Sequence, residues 1–447
     1  MQELPLFNAI KTYAGKSPAR FHMPGHKGAL SPFDVTEVEG TDNLHSPHEA
    51  ILESEKLCAN MMGARDAFFL VSGSTAGNLA MLMLPGSGKR ILLGRNCHKS
   101  AINGIAIAGY EAIPLLPDKD GIFSAESVEE ELSKHPCDAV FITSPTYRGA
   151  VSPIEEIAES AHSYGALLFV DSAHGAHFAY SAMLPPVPYK ADAWCVSCHK
   201  TLEAYTQTAL LLTGKSCPFT RGKVQSVLNM FQSTSPSYPL MLSIESSVMR
   251  PSDWDGHIER IIRVRKRINE IRGCRLLGPD DPQKADITRL NIAVKGLSGR
   301  SLERGLLERG IVPEMADAEC VTLITSPLDR DGWYCMLFEA LSSIASGSCE
   351  IEDGHKFSAA DPIPGRAVVS VREAVLGEAE LVPLEDSAGR ICAAAVGCYP
   401  PGTAVLFPGE MITEENVRLL MGELKSGAEL FGIEYGRIYA VKERFRE

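Results

Sequence analysis

No stretch of the 447 residues approaches the roughly 18 uninterrupted apolar residues that a membrane span needs. The opening MQELPLFNAIKTYAGK likewise lacks the apolar core of a secretory signal. The expected compartment is therefore the cytoplasm. Positive charge is also scarce: 43 Lys and Arg face 56 Asp and Glu, for a net −13. That balance excludes a general nucleic-acid partner, which needs a basic face, while leaving room for a local basic pocket. The twelve cysteines are scattered without a tight framework. In a reducing compartment they are most simply free thiols, many of them buried as small apolar groups. Internal repeats and low-complexity segments are absent. What remains is ordinary globular material, 45% hydrophobic and 22% charged, long enough for two or three domains.

One short stretch, CVSCHKT at 195–201, carries conflicting signals. Cys-x-x-Cys-His spells a haem attachment site, and Cys-x-x-Cys alone suggests a zinc pair or a redox dithiol. Haem attachment of that type belongs to exported chains, and no export signal is present. Zinc needs a second Cys or His pair at matched spacing, which is missing nearby. No metal is expected. Strand alternation also sets Cys195 on the side of Ser197 and Cys198 on the other.

From residue 64 to about 215 one rhythm recurs: a short apolar run, a turn, then an amphipathic stretch. The runs are DAFFLV (66–71), KRILLG (89–94), YEAIPLL (110–116), DAVFITS (138–144), GALLFV (165–170) and ADAWCVS (191–197). SAESVEEELSKH (124–135) reads as a helix. Another helix is expected after Ser152, with Ser152 as N-cap, Pro153 at the first position, Glu155 completing a capping box and Gly165 ending it. Short, nearly all-apolar strands separated by helices imply an α/β fold with a parallel sheet covered on both faces. Ligands of such sheets sit outside the carboxyl ends of the strands. The segments found there, Ser72–Asn78, Arg95–Ser100, Ser144–Gly149, Asp171–His177 and Ser197–Gln207, all carry polar or reactive side chains. Beyond about 220 the rhythm loosens. STSPSYPLMLS (233–243) opens a helix, IERIIRVRKRINEIR (258–272) reads as a solvated basic helix leading out of the large domain, and ADITRLNIAVKG (285–296) starts a second α/β region.

Taken singly, these polar residues are weak signals. SGSTAGN is one more turn at a helix start, His98 a helix-start histidine, Asp171 an N-cap, and Lys200 a surface lysine. Together they are the parts needed to hold pyridoxal 5′-phosphate (PLP). The turn offers hydroxyls and backbone N–H groups to a phosphate. The lysine forms a Schiff base, and the carboxylate keeps the pyridine nitrogen protonated, which makes the ring an electron sink.

At this point the chain resembles the Orn/Lys/Arg decarboxylase family, bacterial PLP enzymes of fold type I in the aspartate aminotransferase superfamily. The matching stretches run from about residue 5 to 440. They include FHMPGHKG (21–28), TDNLHSP (41–47), VSGSTAGN (71–78), GRNCHKS (94–100), SPTYRG (144–149), VDSAHGAH (170–177), SCHKTL (197–202), STSPSY (233–238) and YPPGTAVLFPGE (399–410). The resemblance implies a PLP-binding major domain with a mainly parallel seven-stranded sheet, and a smaller α+β C-terminal domain. It makes Lys200 the Schiff-base lysine, Asp171 the partner of the pyridine nitrogen and His98 the group stacked on the ring. Ser74, Thr75, Ser197 and His199 bind the phosphate. His174 lies near the ring, against its phenolic oxygen or the substrate carboxylate. Either His199 or the freed Lys200 returns a proton to Cα. The implied reaction removes CO2 from arginine, lysine or ornithine to give agmatine, cadaverine or putrescine, feeding polyamine synthesis. The substrate's distal cation needs a carboxylate, from this chain or the neighbouring subunit, with Glu410 as first candidate and Glu314 and Asp42 behind it.

The implied domains are a linker arm (1–45), the major domain (46–280) and a C-terminal region (281–447) whose last part, about 370–447, is the family's C-terminal domain. The chain begins almost at the linker arm and resembles the short, wing-less form. The expected assembly is a homodimer or tetramer with active sites at the subunit interface. HSPHEA (45–50) and HKTLEAYTQ (199–207) depart from the family pattern and bear on the pocket. Competing readings are an aminotransferase or β-eliminating lyase on the same scaffold, and a subunit without catalysis. Retention of Lys200, Asp171 and His98 weighs against the latter.

Overall fold

The computed structural model describes residues 4–278, 281, 284–347, 365–399 and 402–442. Pro400 and Pro401 of YPPGTAVLFPGE lie outside them, as does Cys349, one of the twelve cysteines. Seven strands form the large sheet: β1 (Asp66–Leu70), β2 (Arg90–Gly94), β3 (Glu111–Leu115), β4 (Ala139–Thr143), β5 (Leu167–Asp171), β6 (Ala193–Ser197) and β7 (Ala209–Thr213). Their order across the sheet is β1-β7-β6-β5-β4-β2-β3, with β7 antiparallel to both neighbours and the other pairs parallel. The expected α/β fold with a mainly parallel seven-stranded sheet is the one observed.

The apolar runs explain the sheet's burial on both faces. Phe69, Leu92, Val140, Leu168 and Val196 enter one apolar cluster, while their strand neighbours Phe68, Ile91, Phe141, Phe169 and Cys195 enter the other. Period-2 alternation deals successive residues to opposite faces. Covering a large apolar side chain in this way stabilises by about 1.5–3 kcal/mol. Helices on the two faces include α1 (Pro5–Gly15), α2 (Ala50–Met61), α3 (Gly73–Met83), α4 (Lys99–Ala108), α5 (Ala125–Lys134) and α6 (Ile154–Ser163). α5 has its Ser124 cap. α6 departs from expectation: Pro153 takes the N-cap position without a side-chain bond. Ser152 Oγ instead accepts from the Phe123 N–H at 3.1 Å, and the Ser152 N–H donates to Ser144 Oγ at 3.0 Å. A tertiary partner outcompeted the local capping box. Gly165, with φ +73°, does end that helix.

After β6 comes the short helix α7 (Cys198–Thr201), and after β7 come α8 (Arg221–Leu228), α9 (Tyr238–Met249) and α10 (Trp254–Glu270). α10 is only half solvated. Its Ile261, Val264 and Ile268 pack with Leu290, Ile292, Leu337 and Leu341 in a third cluster. Four antiparallel strands build that unit: β8 (Cys274–Leu276), β9 (Arg289–Val294), β10 (Met315–Ala316) and β11 (Val321–Ile324), in the order β10-β11-β9-β8. This second sheet therefore begins at Cys274, a few residues before the expected boundary at 280. Two three-stranded antiparallel sheets and two α-helices, Val371–Leu376 and Glu414–Lys425, are found in the described C-terminal part. No helix among the described residues is long and apolar enough to cross a membrane.

Two of the contacts that tie the later parts to the large domain bear on the site. Ala150 bridges Ala285, and the Asp286 N–H donates to the Gly149 carbonyl at 2.8 Å. Gly149 has φ +96°, and an added Cβ would stand 2.9 Å from Arg289 Cγ, so glycine is required there by conformation and by space. The second tie is the buried pair Arg95–Glu410.

Candidate active site

Asp171 and Ser197 end the adjacent strands β5 and β6. Lys200 lies one short turn beyond Ser197, on α7. A cavity of about 620 Å³ opens at these strand ends, lined by Ser74, His98, Asp171, His174, Lys200 and Glu314 among others. Six of the residues expected to act thus meet at one place. The volume suits a cofactor with a small substrate.

The motif VSGSTAGN supplies three separate contacts. Ser74, in the first turn of α3, shares a 3.0 Å hydrogen bond with Ser197 Oγ. Gly77 lets α3 lie directly on the sheet: a Cβ there would be 2.4 Å from Cys195 Sγ. Asn78 donates to Asp171 Oδ2 at 2.8 Å and to Ser100 Oγ at 3.0 Å. Asp171 Oδ1 accepts the Ala173 N–H at 3.1 Å. The carboxylate is thereby aimed before any ligand arrives. Sequence reasoning missed Asn78, although its place inside the phosphate motif was a signal that could have found it.

His98 is the N-cap of α4, its Nδ1 accepting the Ser100 N–H. Burial lowers its proton affinity, with Lys200 and Lys99 adding to that and Asp171 opposing. The neutral ring is the form suited to cover another ring. Burial is also the main cause lowering Lys200 below the ordinary lysine value. Its Nζ stands 3.0 Å from His174 Nε2. Burial, then Lys200 and Arg289, hold His174 well below the usual histidine value. Tyr147 packs on His174 with ring centroids 4.6 Å apart and donates its hydroxyl to Glu314.

Three expected residues stand at the margin of the cavity rather than on it. Thr75 is exposed in the first turn of α3. Ser197 reaches the site through Ser74. His199 donates from Nδ1 to the Thr208 carbonyl at 3.0 Å, leaving Nε2 free, and burial lowers its proton affinity. Two substrate candidates are displaced from the site. Glu410 pairs with Arg95, 2.7 Å from Oε1 to Nη1, and also accepts the Phe407 N–H, so its carboxylate is committed within its own chain. Asp42 accepts backbone N–H groups of Asn43, His48, Glu49 and Ile51 and organises the entry to α2. Sequence spacing could not reveal either commitment, because each depends on which backbone or cation folding brings alongside.

The two thiols of CVSCHKT face different apolar clusters. Burial pushes Cys195 well above the usual thiol value and Cys198 up to about 12. Neither is a ready thiolate. Among the described residues no group of His, Cys, Asp or Glu could hold a metal ion.

The residues fit PLP. The cavity is lined by a lysine amine, a pre-aimed carboxylate, a helix-start hydroxyl and a neutral imidazole, and by Thr143, whose buried Oγ1 has no hydrogen-bond partner. A lysine after the sixth strand and a carboxylate ending the fifth, on a mainly parallel seven-stranded sheet, define the fold type I architecture of the PLP-dependent enzymes. Comparison with known proteins narrows that class. The profile of the Orn/Lys/Arg decarboxylase major domain matches residues 4–293, and that of the family's C-terminal domain matches 361–429. The chain belongs to the Orn/Lys/Arg decarboxylase family. It is 32% identical to an arginine decarboxylase of Bacillus subtilis, over 98% of this chain and 97% of that one. It is 31% identical to an arginine decarboxylase of Halalkalibacterium halodurans, over 97% and 96%. The fold is similar to that of the constitutive lysine decarboxylase of Escherichia coli, with TM-score 0.81 and 20% identity, over 98% of this chain and 82% of that one.

Proposed function

We propose that the chain decarboxylates a basic amino acid on PLP held by Lys200, with arginine the preferred substrate over lysine and ornithine. The carrying observation is Glu314. It lines the same cavity as Lys200, and among the described residues no cation pairs with it; its partner is the Tyr147 hydroxyl. Two neighbouring acids of the same cavity, Asp317 and Glu423, are already matched, with Arg148 and Arg300 respectively. A planar guanidinium suits a carboxylate better than an ammonium does, because it can donate two parallel hydrogen bonds. The arginine decarboxylases at 31–32% identity support the same preference.

Bound PLP supplies the electron sink for bond breaking at Cα. The chain's own groups do the rest. Lys200 presents the amine that would hold the cofactor, give way to the substrate's amino group and, on returning, release the product amine. Asp171, fixed by Asn78, keeps a proton on the ring nitrogen. Ser74 and the start of α3 meet the phosphate, and His98 covers one ring face. Glu314 and Tyr147 anchor the distal cation, which turns the Cα–carboxylate bond toward the reacting face. Lys200 or His199 returns the proton to Cα. The exposed Phe21, Met23 and Leu30 of the N-terminal arm support assembly as a homodimer or tetramer. A cytoplasmic role in polyamine synthesis completes the proposal.

The test is product analysis after incubating PLP-loaded protein with arginine, lysine and ornithine in parallel, without any 2-oxo acid. Agmatine is expected as the main product, with CO2. Absence of agmatine, cadaverine and putrescine alike would overturn the proposal. Glu314→Gln is expected to lower kcat/KM for arginine roughly 10- to 100-fold, the loss of one hydrogen-bonded charge contact worth about 1.5–3 kcal/mol.

A further inference from the structure

His174 has a partner on each ring nitrogen. Nε2 stands 3.0 Å from Lys200 Nζ, and Nδ1 stands 3.3 Å from Nη2 of Arg289. Arg289 opens β9, in the second sheet, and its side chain is fully buried. It does not line the cavity, whereas His174 does. The guanidinium is held from behind by Asp286, whose Oδ2 lies 3.4 Å from Arg289 Nε and 3.1 Å from His177 Nε2. Burial opposes ionisation of Asp286, but His177 and Arg289 outweigh it and keep the carboxyl well below its usual range. Gly149 closes over the arginine stem, which leaves the side chain little freedom to turn away.

The donor inventory sets the direction of this chain of contacts. A guanidinium carries only donors. His174 Nδ1 must therefore accept, and the neutral ring carries its proton on Nε2. That proton points at Lys200 Nζ, which must then accept through a lone pair. The reverse arrangement, an ammonium at Lys200 donating to Nε2, would put the imidazole proton on Nδ1, donor against donor, facing Arg289. An imidazolium would meet the same clash and stand between two cations.

We infer that Arg289 is a positioning residue that acts through His174, fixing the imidazole as the Nε2-protonated tautomer and holding Lys200 as a neutral amine. Burial and the nearest cationic and imidazole groups act on His174 in the same direction, while the carboxylates of the cavity, Asp171 and Glu314, are engaged by Asn78 and Tyr147. Lys200 from α7, Arg289 from β9 and His98 from α4 all disfavour an imidazolium, as does His177 from the same loop, while Tyr147 offers a ring face. The neutral amine is the form that condenses with an aldehyde. Its nitrogen bonds to the aldehyde carbon of PLP, the C=O bond breaks, and the oxygen leaves as water with the two amine protons. The role thus rests on the PLP assignment above.

The test is the tautomer itself, read by two-bond 1H–15N correlation on cofactor-free protein labelled with 15N-histidine, with His174→Asn assigning the signal. The parent and Arg289→Lys, which keeps a donor, should show His174 as Nε2–H, unchanged between about pH 5.5 and 8. In Arg289→Met the signal should become a mixture of the Nε2–H and Nδ1–H tautomers, still without an imidazolium signal in that range, because burial and Lys200 continue to disfavour the charged ring. In the same variant the pH profile for the rate of imine formation with added PLP should move upward. The rate at pH 7 should then fall about tenfold for each pH unit by which the profile moves. A parent spectrum with the proton on Nδ1 overturns the inference. So does a folded Arg289→Met whose spectrum and pH profile match the parent's. If Arg289→Met fails to fold, the parent and Arg289→Lys spectra decide. A protein that forms no imine with PLP refutes the cofactor assignment, and the tautomer remains readable.

Discussion

Glu410→Gln separates a structural carboxylate from a substrate-binding one. Arg95 is 0% exposed and Glu410 8%, and their charges approach to 2.7 Å. At that distance the attraction is about 6 kcal/mol for an effective dielectric near 20. Desolvation cancels much of it: burial raises the Glu410 carboxyl above its ordinary value even with Arg95 beside it. The intact pair therefore contributes little net stability, while removing one partner strands a buried charge at a cost of about 3–5 kcal/mol. Phe407, 3.7 Å beneath the guanidinium, compensates only in part. The amide of Glu410→Gln keeps one acceptor and should fall near 3 kcal/mol, with Glu410→Ala nearer 5. Melting of the PLP-loaded protein should drop by roughly 3–5 °C across the two variants, from an unfolding entropy of about 2.1 cal/mol/K per residue over 447 residues. The double variant Arg95→Met with Glu410→Leu should recover most of the loss. KM for arginine, measured well below the melting range, should stay within about twofold, since an interaction absent from the substrate complex leaves KM unchanged. Single variants that melt with the parent while KM rises many-fold would refute this and return Glu410 to the substrate site.

Further expectations concern the supports of the site. Burial lifts the Glu55 carboxyl to about 7 although Arg221 and the Phe69 N–H oppose the rise. The folded chain then binds more protons than the unfolded one between about pH 4.5 and 7, so stability falls as pH rises through that window, by roughly 3 kcal/mol. Denaturant titrations should show the slope, and Glu55→Gln should flatten it; an equal slope in the variant would exclude Glu55 as its source. Gly77→Val drives a side chain into Cys195 and Leu70, and should cost about 1–3 kcal/mol in a melt, with a silent result showing that α3 can lift off the sheet. Asn78→Leu removes the donor to Asp171. It should cost about 1–3 kcal/mol and speed PLP loss in dialysis, whereas parent-like retention would show that Asp171 needs no aiming.

The apolar runs and the turns between them placed six of the seven strands of the large sheet, all but the antiparallel β7, because a strand covered on both faces is apolar along most of its length. They were sufficient, too, to locate the reactive segments, because chain direction in a parallel sheet gathers the strand ends on one side. CVSCHKT could be resolved in the same way: alternation already separated its thiols, and the structure sends Cys195 and Cys198 into different clusters. What spacing could not settle was which partner each polar group would find. Ser152 reads as a cap, yet it serves Phe123. Glu410 reads as a free carboxylate, yet Arg95, 315 positions away, claims it. Arg289 lies in a run read only as the start of a second α/β region, and turns up behind His174. A strand follows from the pattern of its own residues, and so is written locally. Hydrogen bonds and ion pairs between distant segments follow from where the fold delivers them, and only the tertiary structure decides that.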